Sequence, residues 1–284
     1  MTVWQAIVLG IVQGVTEFLP VSSSAHLLIV AWLLGWESPG LAFDAALHLG
    51  TLTAVLVYFW RDLVAMACAL PRALRQPAAI LRSHDPGDVM PRLSLLIALG
   101  TVPGLVGGLL AAEAIDAVYH PDGVAPDRII VALAAALIAL ALLLWWAERA
   151  ARHVRGMGSL TVRDAVVIGL AQAAALIPGV SRSGATITAG LFRGLTRADA
   201  ARFSFLLGTP IVAAAGAKGL LDTLSSGLDA SQLGVFAVGL LASALAGFAA
   251  IWGLLRYLQR ASTAVFIVYR VVLGVVLIGL VVSR

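Results

Sequence analysis

The sequence predicts an all-α integral membrane protein with about six transmembrane helices and two re-entrant helical hairpins, arranged as an inverted-topology repeat. Of its 284 residues 61% are hydrophobic and only 12% are charged, with a mean hydropathy of +0.98. Soluble domains carry charge on about a quarter of their residues. Two polar segments interrupt this apolar sequence, and they resemble each other at a constant spacing.

Six stretches are long and apolar enough to cross a bilayer, which takes roughly 20 residues per helix. They cover about 43–60, 93–112, 129–147, 203–221, 233–255 and 264–282. Two further regions, about 1–36 and 164–195, each predict a pair of half-length helices broken by polar residues. Irregular backbone at membrane depth is tolerated only where protein or water satisfies its N–H and C=O groups. Both breaks are therefore expected to line a cavity.

The first break reads QGVTEFLPVSSSAH. Its polar side chains are those of Gln13, Glu17, Ser22, Ser23, Ser24 and His26. Gln13 and Glu17 are four residues apart and share one face of the first half-helix, which Pro20 ends. The three serines can cap the second half-helix, whose N–H groups form an anion site, and His26 lies one turn into that helix. The alternative is that these groups only cap helices and bond to neighbouring ones.

The second break reads PGVSRSGAT and starts at Pro178. Its ligand-type residues are Ser181, Arg182, Ser183, Gly184 and Thr186. Small residues alone would indicate helix packing. Arg182 changes this interpretation, because a permanent charge near the bilayer centre is expensive unless it meets an anion, and phosphate suits the guanidinium fork. We therefore predict a phosphate or carboxylate ligand for Arg182.

The chain is predicted to be internally duplicated. At an offset of 159, Gly10, Gln13, Ser22 and Ser24 reappear as Gly169, Gln172, Ser181 and Ser183. At an offset of 158, Leu49-Gly50-Thr51 reappears as Leu207-Gly208-Thr209. Two matches in register indicate repeats, over approximately 1–112 and 160–258 of a single membrane domain, 1–284, whose remaining helices complete the bundle. From the start of one repeat to the start of the next, the chain passes one hairpin and three crossings, 129–147 included; three is odd, so the second copy is inverted.

The arginines predict the orientation. Outside the second break and the last span, fourteen arginines lie in 61–92, 148–202 and 256–263, and the opposite face carries only Arg128, Lys218 and Arg284. Positive loops face the cytoplasm, so the first hairpin opens from the outside and the second from the cytoplasm. This topology explains the net charge of +4 without nucleic acid. The lone Cys68 excludes an internal disulfide, and no Cys/His spacing indicates zinc.

The inverted repeats should bring both breaks together near the midplane. Phosphoryl transfer needs positioning, charge neutralisation and a group that activates the nucleophile. Glu17 could hold a divalent cation or act as base; His26 could protonate the leaving oxygen or attack; Ser23 could be the nucleophile. Arg270, beside Tyr269, is expected either to pair with Glu17 or Asp44 or to hold a substrate phosphate. Asp44 and His48 share a helix face as cavity polar groups or caps.

At these residues the chain resembles the undecaprenyl-diphosphate phosphatase family, bacterial membrane enzymes known for bacitracin resistance. The resemblance covers nearly the whole length and is carried by the segments from Gln13 to His26 and from Pro178 to Thr186. It implies hydrolysis of undecaprenyl diphosphate to the monophosphate and inorganic phosphate, which recycles the lipid carrier for peptidoglycan and other envelope polymers. It also implies a divalent cation, Mg²⁺ or Ca²⁺.

Carried over position by position, the resemblance assigns the site residues. The family's catalytic set falls on Glu17, Ser23, His26, Ser181, Arg182, Ser183 and Thr186. As substrate or phosphate ligands we predict Gln13, Ser22, Ser24, Ser181, Ser183, Gly184, Thr186 and Arg270, with Glu17 as the metal ligand. Gln13 stands where relatives often have glutamate, so one carboxylate of this helix is absent.

The resemblance places the chain in the bacterial plasma (inner) membrane, with the site facing the outer, periplasmic side. The predicted partners are a polyprenyl diphosphate lipid and membrane lipids. The sequence leaves the oligomeric state open, with a homodimer as one option. The competing functional hypothesis is a secondary transporter or lipid-carrier flippase, because inverted repeats with broken helices at the midplane also build a transporter's anion site.

Overall fold

The computed structural model describes residues 1–37, 40–83, 85–119, 126–177, 179–225 and 230–283. Pro178 and Arg284 of the sequence predictions lie outside these ranges. Helices account for nearly all the regular structure in the described residues, with a single isolated bridge between Arg155 and Leu195. The predicted all-α class is confirmed.

The helices are numbered in chain order. They are α1 Val3–Phe18, α2 Ser23–Leu34, α3 Gly40–Tyr58, α4 Trp60–Arg75, α5 Pro77–Arg82, α6 Val89–Tyr119, α7 Asp127–Ala150, α8 Val162–Ala174, α9 Arg182–Phe192, α10 Arg197–Ser225, α11 Ala230–Leu258 and α12 Ala264–Val282. Short 3₁₀ turns occur at Pro86–Asp88 and Met157–Ser159.

Five described helices are long and apolar enough to cross a membrane: α6, α7, α10, α11 and α12. The apolar α3 gives a sixth span if it is counted with α4, from which it is bent by 78°. The six predicted spans therefore all fall on helices. The segment 61–92, which the sequence analysis treated as a loop, is largely helical and contains α4 and α5.

Both predicted broken regions are pairs of short helices. The first members, α1 and α8, begin with capping boxes at Thr2 and Thr161, in which the cap hydroxyl accepts a backbone N–H and the third helical residue bonds back. These two caps are 159 residues apart, the offset of the sequence repeat. The opposite orientation of the two halves across the membrane stays a prediction.

Glycines allow the first helix of each broken pair to pack closely against a long helix. Helix α1 packs on α11, and α8 packs on α6. A Cβ on Gly10 would lie 2.5 Å from the carbonyl oxygen of Gly239, and one on Gly169 would lie 2.4 Å from that of Gly100. Small residues let backbones approach this closely in membrane proteins. The half-helices are thereby held in the interior of the bundle, where their breaks can meet.

Candidate active site

Side chains from the second break bond directly to the first. The Nη2 group of Arg182 donates a hydrogen bond to Oε1 of Glu17 at 2.9 Å. The hydroxyl of Ser183 donates to the carbonyl of Leu19 at 3.0 Å. These contacts join residues about 165 positions apart in the chain. The structure therefore brings the two predicted breaks together.

Glu17 is the centre of this contact and is only 7% exposed. Its Oε2 accepts hydrogen bonds from the Ser23 hydroxyl at 2.6 Å and from Nε2 of Gln13 at 3.1 Å. The Nε2 atom of His48 lies 3.9 Å from the same oxygen. A carboxylate at hydrogen-bond distance from a hydroxyl can accept its proton. The geometry thus pairs a candidate base, Glu17, with a candidate nucleophile, Ser23.

One donor group of the Arg182 guanidinium is not used in binding Glu17. Its Nη1 is buried and has no hydrogen-bond partner among the described residues. The guanidinium lies against α10, where a Cβ on Gly208 would stand only 1.4 Å from Nη1. A small cavity beside it, with room for about one water molecule, is lined by Glu17, Arg182, Thr51, Gly208 and Thr209, together with apolar side chains. A phosphate oxygen in this cavity would meet a fork already oriented by Glu17.

The hydroxyls of the second break build the start of α9. Ser181 is the N-cap, and its hydroxyl accepts the backbone N–H of Gly184 at 3.0 Å, as a capping serine does. The Ser181 and Ser183 hydroxyls are 3.0 Å apart, and the Thr186 hydroxyl is 2.6 Å from that of Ser204. These residues fix the N-terminal turn of α9 that presents Arg182.

The serines of the first break behave differently from expectation. Ser22 occupies the N-cap position of α2, but its hydroxyl makes no capping bond and its φ is +78°. The expectation of a hydroxyl cap is therefore wrong for Ser22, whose oxygen lies 3.3 Å from that of Ser24. Positive φ at a residue with a side chain is strained and persists only where surrounding contacts hold it. The chain reverses here so that Ser23 faces Glu17.

His26 is oriented from both sides. Its Nδ1 is 2.7 Å from the carbonyl of Ser22 and its Nε2 is 2.6 Å from the hydroxyl of Tyr269. A carbonyl can only accept, so Nδ1 carries the proton and the neutral ring's Nε2 accepts from Tyr269. Neither His26 nor Ser23 lines the Glu17–Arg182 cavity, but Ser23 contacts Glu17 directly. Sequence analysis missed the contact with Tyr269, for which adjacency to Arg270 was the only signal.

Arg270 is fully buried and binds main-chain oxygens. Its Nε donates to the carbonyl of Leu137 at 3.0 Å and its Nη1 to that of Pro20 at 2.9 Å. The expected ion pair with Glu17 is wrong, because Glu17 is bound to Arg182. A Cβ on Gly184 would lie 3.1 Å from Nη1 of Arg270. Arg270 therefore sits between the two breaks and holds the backbone of the first.

The oxygen ligands present fit a divalent cation that is shared with substrate. The described residues contain no cluster of three or more His, Cys, Asp or Glu side chains able to hold a metal on their own. Glu17 offers a carboxylate, and the Oε1 atom of Gln13 beside it is buried without a described partner. Mg²⁺ is commonly held by one or two carboxylates together with substrate phosphates.

Thr51, Gly208 and Thr209 line the cavity, and the sequence analysis did not select them for the site. The signal was present as the second repeat match, in which Leu49-Gly50-Thr51 corresponds to Leu207-Gly208-Thr209. His48 was noted only as a cavity polar group or cap. Both members of the second match, on α3 and α10, lie at the cavity.

These features define an α-helical membrane protein in which two helix breaks meet at a Glu17–Arg182 ion pair. A family model described as bacitracin resistance protein BacA matches residues 6–276, and the chain belongs to this family. It is 51% identical to an undecaprenyl-diphosphatase of Thermomicrobium roseum over 98% of both chains. It is 46% identical to one of Synechococcus elongatus, over 98% of this chain and 93% of the relative. It is 44% identical to one of Gemmatimonas aurantiaca over the full length of both.

Proposed function

We propose that the protein is an undecaprenyl-diphosphatase, a hydrolase that converts undecaprenyl diphosphate to undecaprenyl phosphate and inorganic phosphate. Relatives named for this activity match the chain over nearly its whole length. The observation that carries the proposal is the arrangement of Ser23, Glu17 and Arg182, in which a hydroxyl, a carboxylate and a guanidinium with a free donor meet in one buried site.

Arg182 binds the terminal phosphate through Nη1 while Nη2 stays on Glu17. Glu17 accepts the proton of Ser23, and the Ser23 oxygen attacks the terminal phosphorus. The bond from that phosphorus to the bridging oxygen breaks, and undecaprenyl phosphate leaves. Water then attacks the phosphorus of the phosphoserine and the bond from that phosphorus to the Ser23 oxygen breaks. Glu17 returns its proton to Ser23, and the oxygen and both protons of the water leave with the inorganic phosphate. Most of the acceleration comes from positioning and from neutralised charge.

His26 is the alternative nucleophile; to protonate the leaving oxygen it would first have to gain a proton at Nε2. Its Nε2 is the unprotonated nitrogen, which a nucleophile requires, but it is bonded to Tyr269. Ser23 already contacts its base. The proposal therefore favours Ser23 as the nucleophile.

A divalent cation, Mg²⁺ or Ca²⁺, neutralises diphosphate charge when it is bound, and Glu17 and Gln13 are the residues that would hold it. We further propose that the protein resides in the bacterial inner membrane with its site open to the outer leaflet. The polyprenyl tail then stays in lipid, and hydrolysis recycles the carrier for peptidoglycan synthesis and confers bacitracin resistance. The flippase alternative is not favoured, because the relatives are named for hydrolysis.

The test is phosphate release from undecaprenyl diphosphate by the detergent-purified protein, with and without EDTA. We expect release that EDTA suppresses, and a loss of at least a hundred-fold in E17Q, S23A and R182K. R202K is the matched control, since Arg202 binds Asp62 and does not line the cavity. Absence of release from monodisperse wild-type protein would overturn the proposal. Loss of phosphate release in H26A, together with full activity in S23A, would identify His26 as the nucleophile.

A further inference from the structure

Helix α4 turns away from α3 by 78°. The turn is made at Phe59, which is 2% exposed and packs against the rings of Tyr58 and Phe205. Arg202 of α10 binds both carboxylate oxygens of Asp62 at 2.7 Å. If α3 runs along the bilayer normal, a bend of 78° leaves α4 closer to the membrane plane than to the normal.

The side chains of α4 divide into three faces. The face toward α6 carries the buried Met66 and Ala73. At spacings of three and four, an exposed apolar stripe follows: Trp60, Val64, Ala67, Pro71 and Leu74. Beside it runs an exposed stripe of Arg61, Cys68, Arg72 and Arg75. One apolar and one arginine-rich exposed face are typical of helices that lie in a membrane interface.

Tryptophans stacked under arginines place the start of α4 at headgroup level. Three such pairs are Arg61 over Trp60, Arg149 over Trp145 and Arg256 over Trp252, with guanidinium carbons 5.4, 5.3 and 4.4 Å from the ring centres. The second and third pairs lie at the C-terminal ends of α7 and α11. Tryptophan is enriched at the membrane–water interface. All three pairs lie on the arginine-rich face, which is predicted to be cytoplasmic.

We propose that α4 is an interfacial helix that binds the phosphates of anionic phospholipids through Arg61 and Arg75. Arg72 is already paired with Asp88 at 2.8 Å. Arg61 and Arg75 are exposed and have no ion pair within the described part of the chain. They are fourteen residues apart, about 21 Å along the helix, and so reach separate headgroups. Anionic lipid surfaces attract such residues. This inference does not depend on the proposed hydrolysis.

Cys68 provides the probe, because it is exposed, lies on the arginine stripe and is the only cysteine of the chain. The full-length protein is labelled there with a fluorophore and reconstituted in phosphatidylcholine vesicles. Small fractions of head-group spin-labelled phosphatidylglycerol or phosphatidylcholine are added as quenchers. We expect the anionic lipid to quench several-fold more, since each arginine adds roughly five-fold to association with an anionic surface.

The preference should disappear in R61Q/R75Q and persist in R152Q/R260Q, which removes the same charge from the same face outside α4. Equal quenching by both lipids in the wild type would overturn the proposal. A preference for the anionic lipid that survives in R61Q/R75Q would also overturn it. An equal fall of the preference in both double variants would overturn it too, since the preference would then come from the total charge of the arginine-rich membrane face and not from α4. Label yield and monodispersity confirm that each variant is folded.

Discussion

At the scale of single residues, the hydrogen bond from Tyr269 to His26 invites a direct test. Tyr269→Phe keeps the ring and removes the donor, so His26 Nε2 loses the 2.6 Å contact that orients it. Since Ser23, Glu17 and Arg182 carry the proposed reaction and His26 takes no step in it, we expect kcat for phosphate release to change by less than about two-fold, with little change in KM. Tyr257→Phe is the control, because its ring also packs on an aromatic, Phe266. A fall in kcat of ten-fold or more in Tyr269→Phe, with Tyr257→Phe unaffected, would contradict this and give the oriented His26 a part in the reaction.

Replacement of Gly208 tests the role of Arg182 in hydrolysis. Gly208→Ala would place a methyl group 1.4 Å from the present position of Arg182 Nη1. The guanidinium must move, and its bond to Glu17 must lengthen or break. We predict a loss of hydrolysis of at least a hundred-fold, measured as phosphate release. Gly253→Ala, where the methyl meets no atom within 4 Å, should retain wild-type activity. Equal activity of the two variants would contradict the assigned role of Arg182.

The sequence alone predicted contacts between neighbouring residues of one helix, but it did not predict which arginine pairs with Glu17. The i, i+4 spacing of Gln13 and Glu17 fixed their contact, because it follows from helix geometry. The partner of Glu17 did not follow, since both Arg182 and Arg270 were candidates from distant parts of the chain. The packing of α9 and α12 decides whether the guanidinium of Arg182 or that of Arg270 reaches Glu17. The periodicity of residues within one helix does not predict how two helices pack.

At the scale of elements, close glycine contacts hold α1 on α11 and α8 on α6. Gly10→Ala and Gly169→Ala would each place a methyl group within about 2.5 Å of a backbone carbonyl. Overpacking of this kind destabilises by about 1–3 kcal/mol. Thermal unfolding in detergent should show both variants melting below the wild type. Gly279→Ala, which meets nothing within 4 Å, should not. Wild-type melting of Gly10→Ala or Gly169→Ala would mean that the helices can separate without loss.

Asp164 ties the beginning of α8 to the end of α9. It is fully buried and accepts from Arg193 Nε at 2.6 Å and from Arg155 Nη2 at 2.7 Å. Burial acts to raise the pKa of Asp164, but the hydrogen bonds from Arg155, Arg193 and Thr161 outweigh it and lower the pKa from 3.8 to about 2. The ionised carboxylate therefore stabilises the fold above about pH 4, and this stabilisation is lost as the pH falls toward 2.

The corresponding prediction concerns Asp164→Asn. The variant should be less stable than the wild type at pH 7, by on the order of 2 kcal/mol, and the difference should shrink below pH 4. Thermal unfolding at both pH values measures it. Asp199→Asn is a control on α10, because Asp199 is bonded to Thr196 and not to an arginine. A gap between wild type and Asp164→Asn that stays constant with pH would refute the electrostatic account.

Hydropathy predicted the helices that are apolar along their whole length. The six spans and both broken pairs follow from long apolar runs and from polar interruptions. Helix α4 was missed, because its arginines and apolar residues alternate along one amphipathic helix and average out in any window. Its position depends on anchors such as Asp62 to Arg202, which lie 140 residues apart in the chain.

At the scale of the whole molecule, the two halves contribute different chemistry to one site. The repeat offset of 159 aligns Glu17 with Leu176, and it aligns Ser23 with Arg182. The first half therefore supplies the carboxylate and the hydroxyl, and the second supplies the cation. Neither half holds all three groups, so the proposed hydrolysis requires both breaks. Repeats that meet at a midplane are well suited to such a division.

The opposite orientation of the two halves can be tested at equivalent positions. Val3 and Val162 are 159 residues apart, start α1 and α8, and are 50% and 39% exposed. In a C68S background, V3C should react with a membrane-impermeant maleimide added to intact spheroplasts, and V162C only after permeabilisation. Native Cys68 in the wild type should behave as V162C does, because positive loops face the cytoplasm. Labelling of V3C and V162C from the same side would establish parallel halves and would exclude an odd number of crossings between residues 3 and 162.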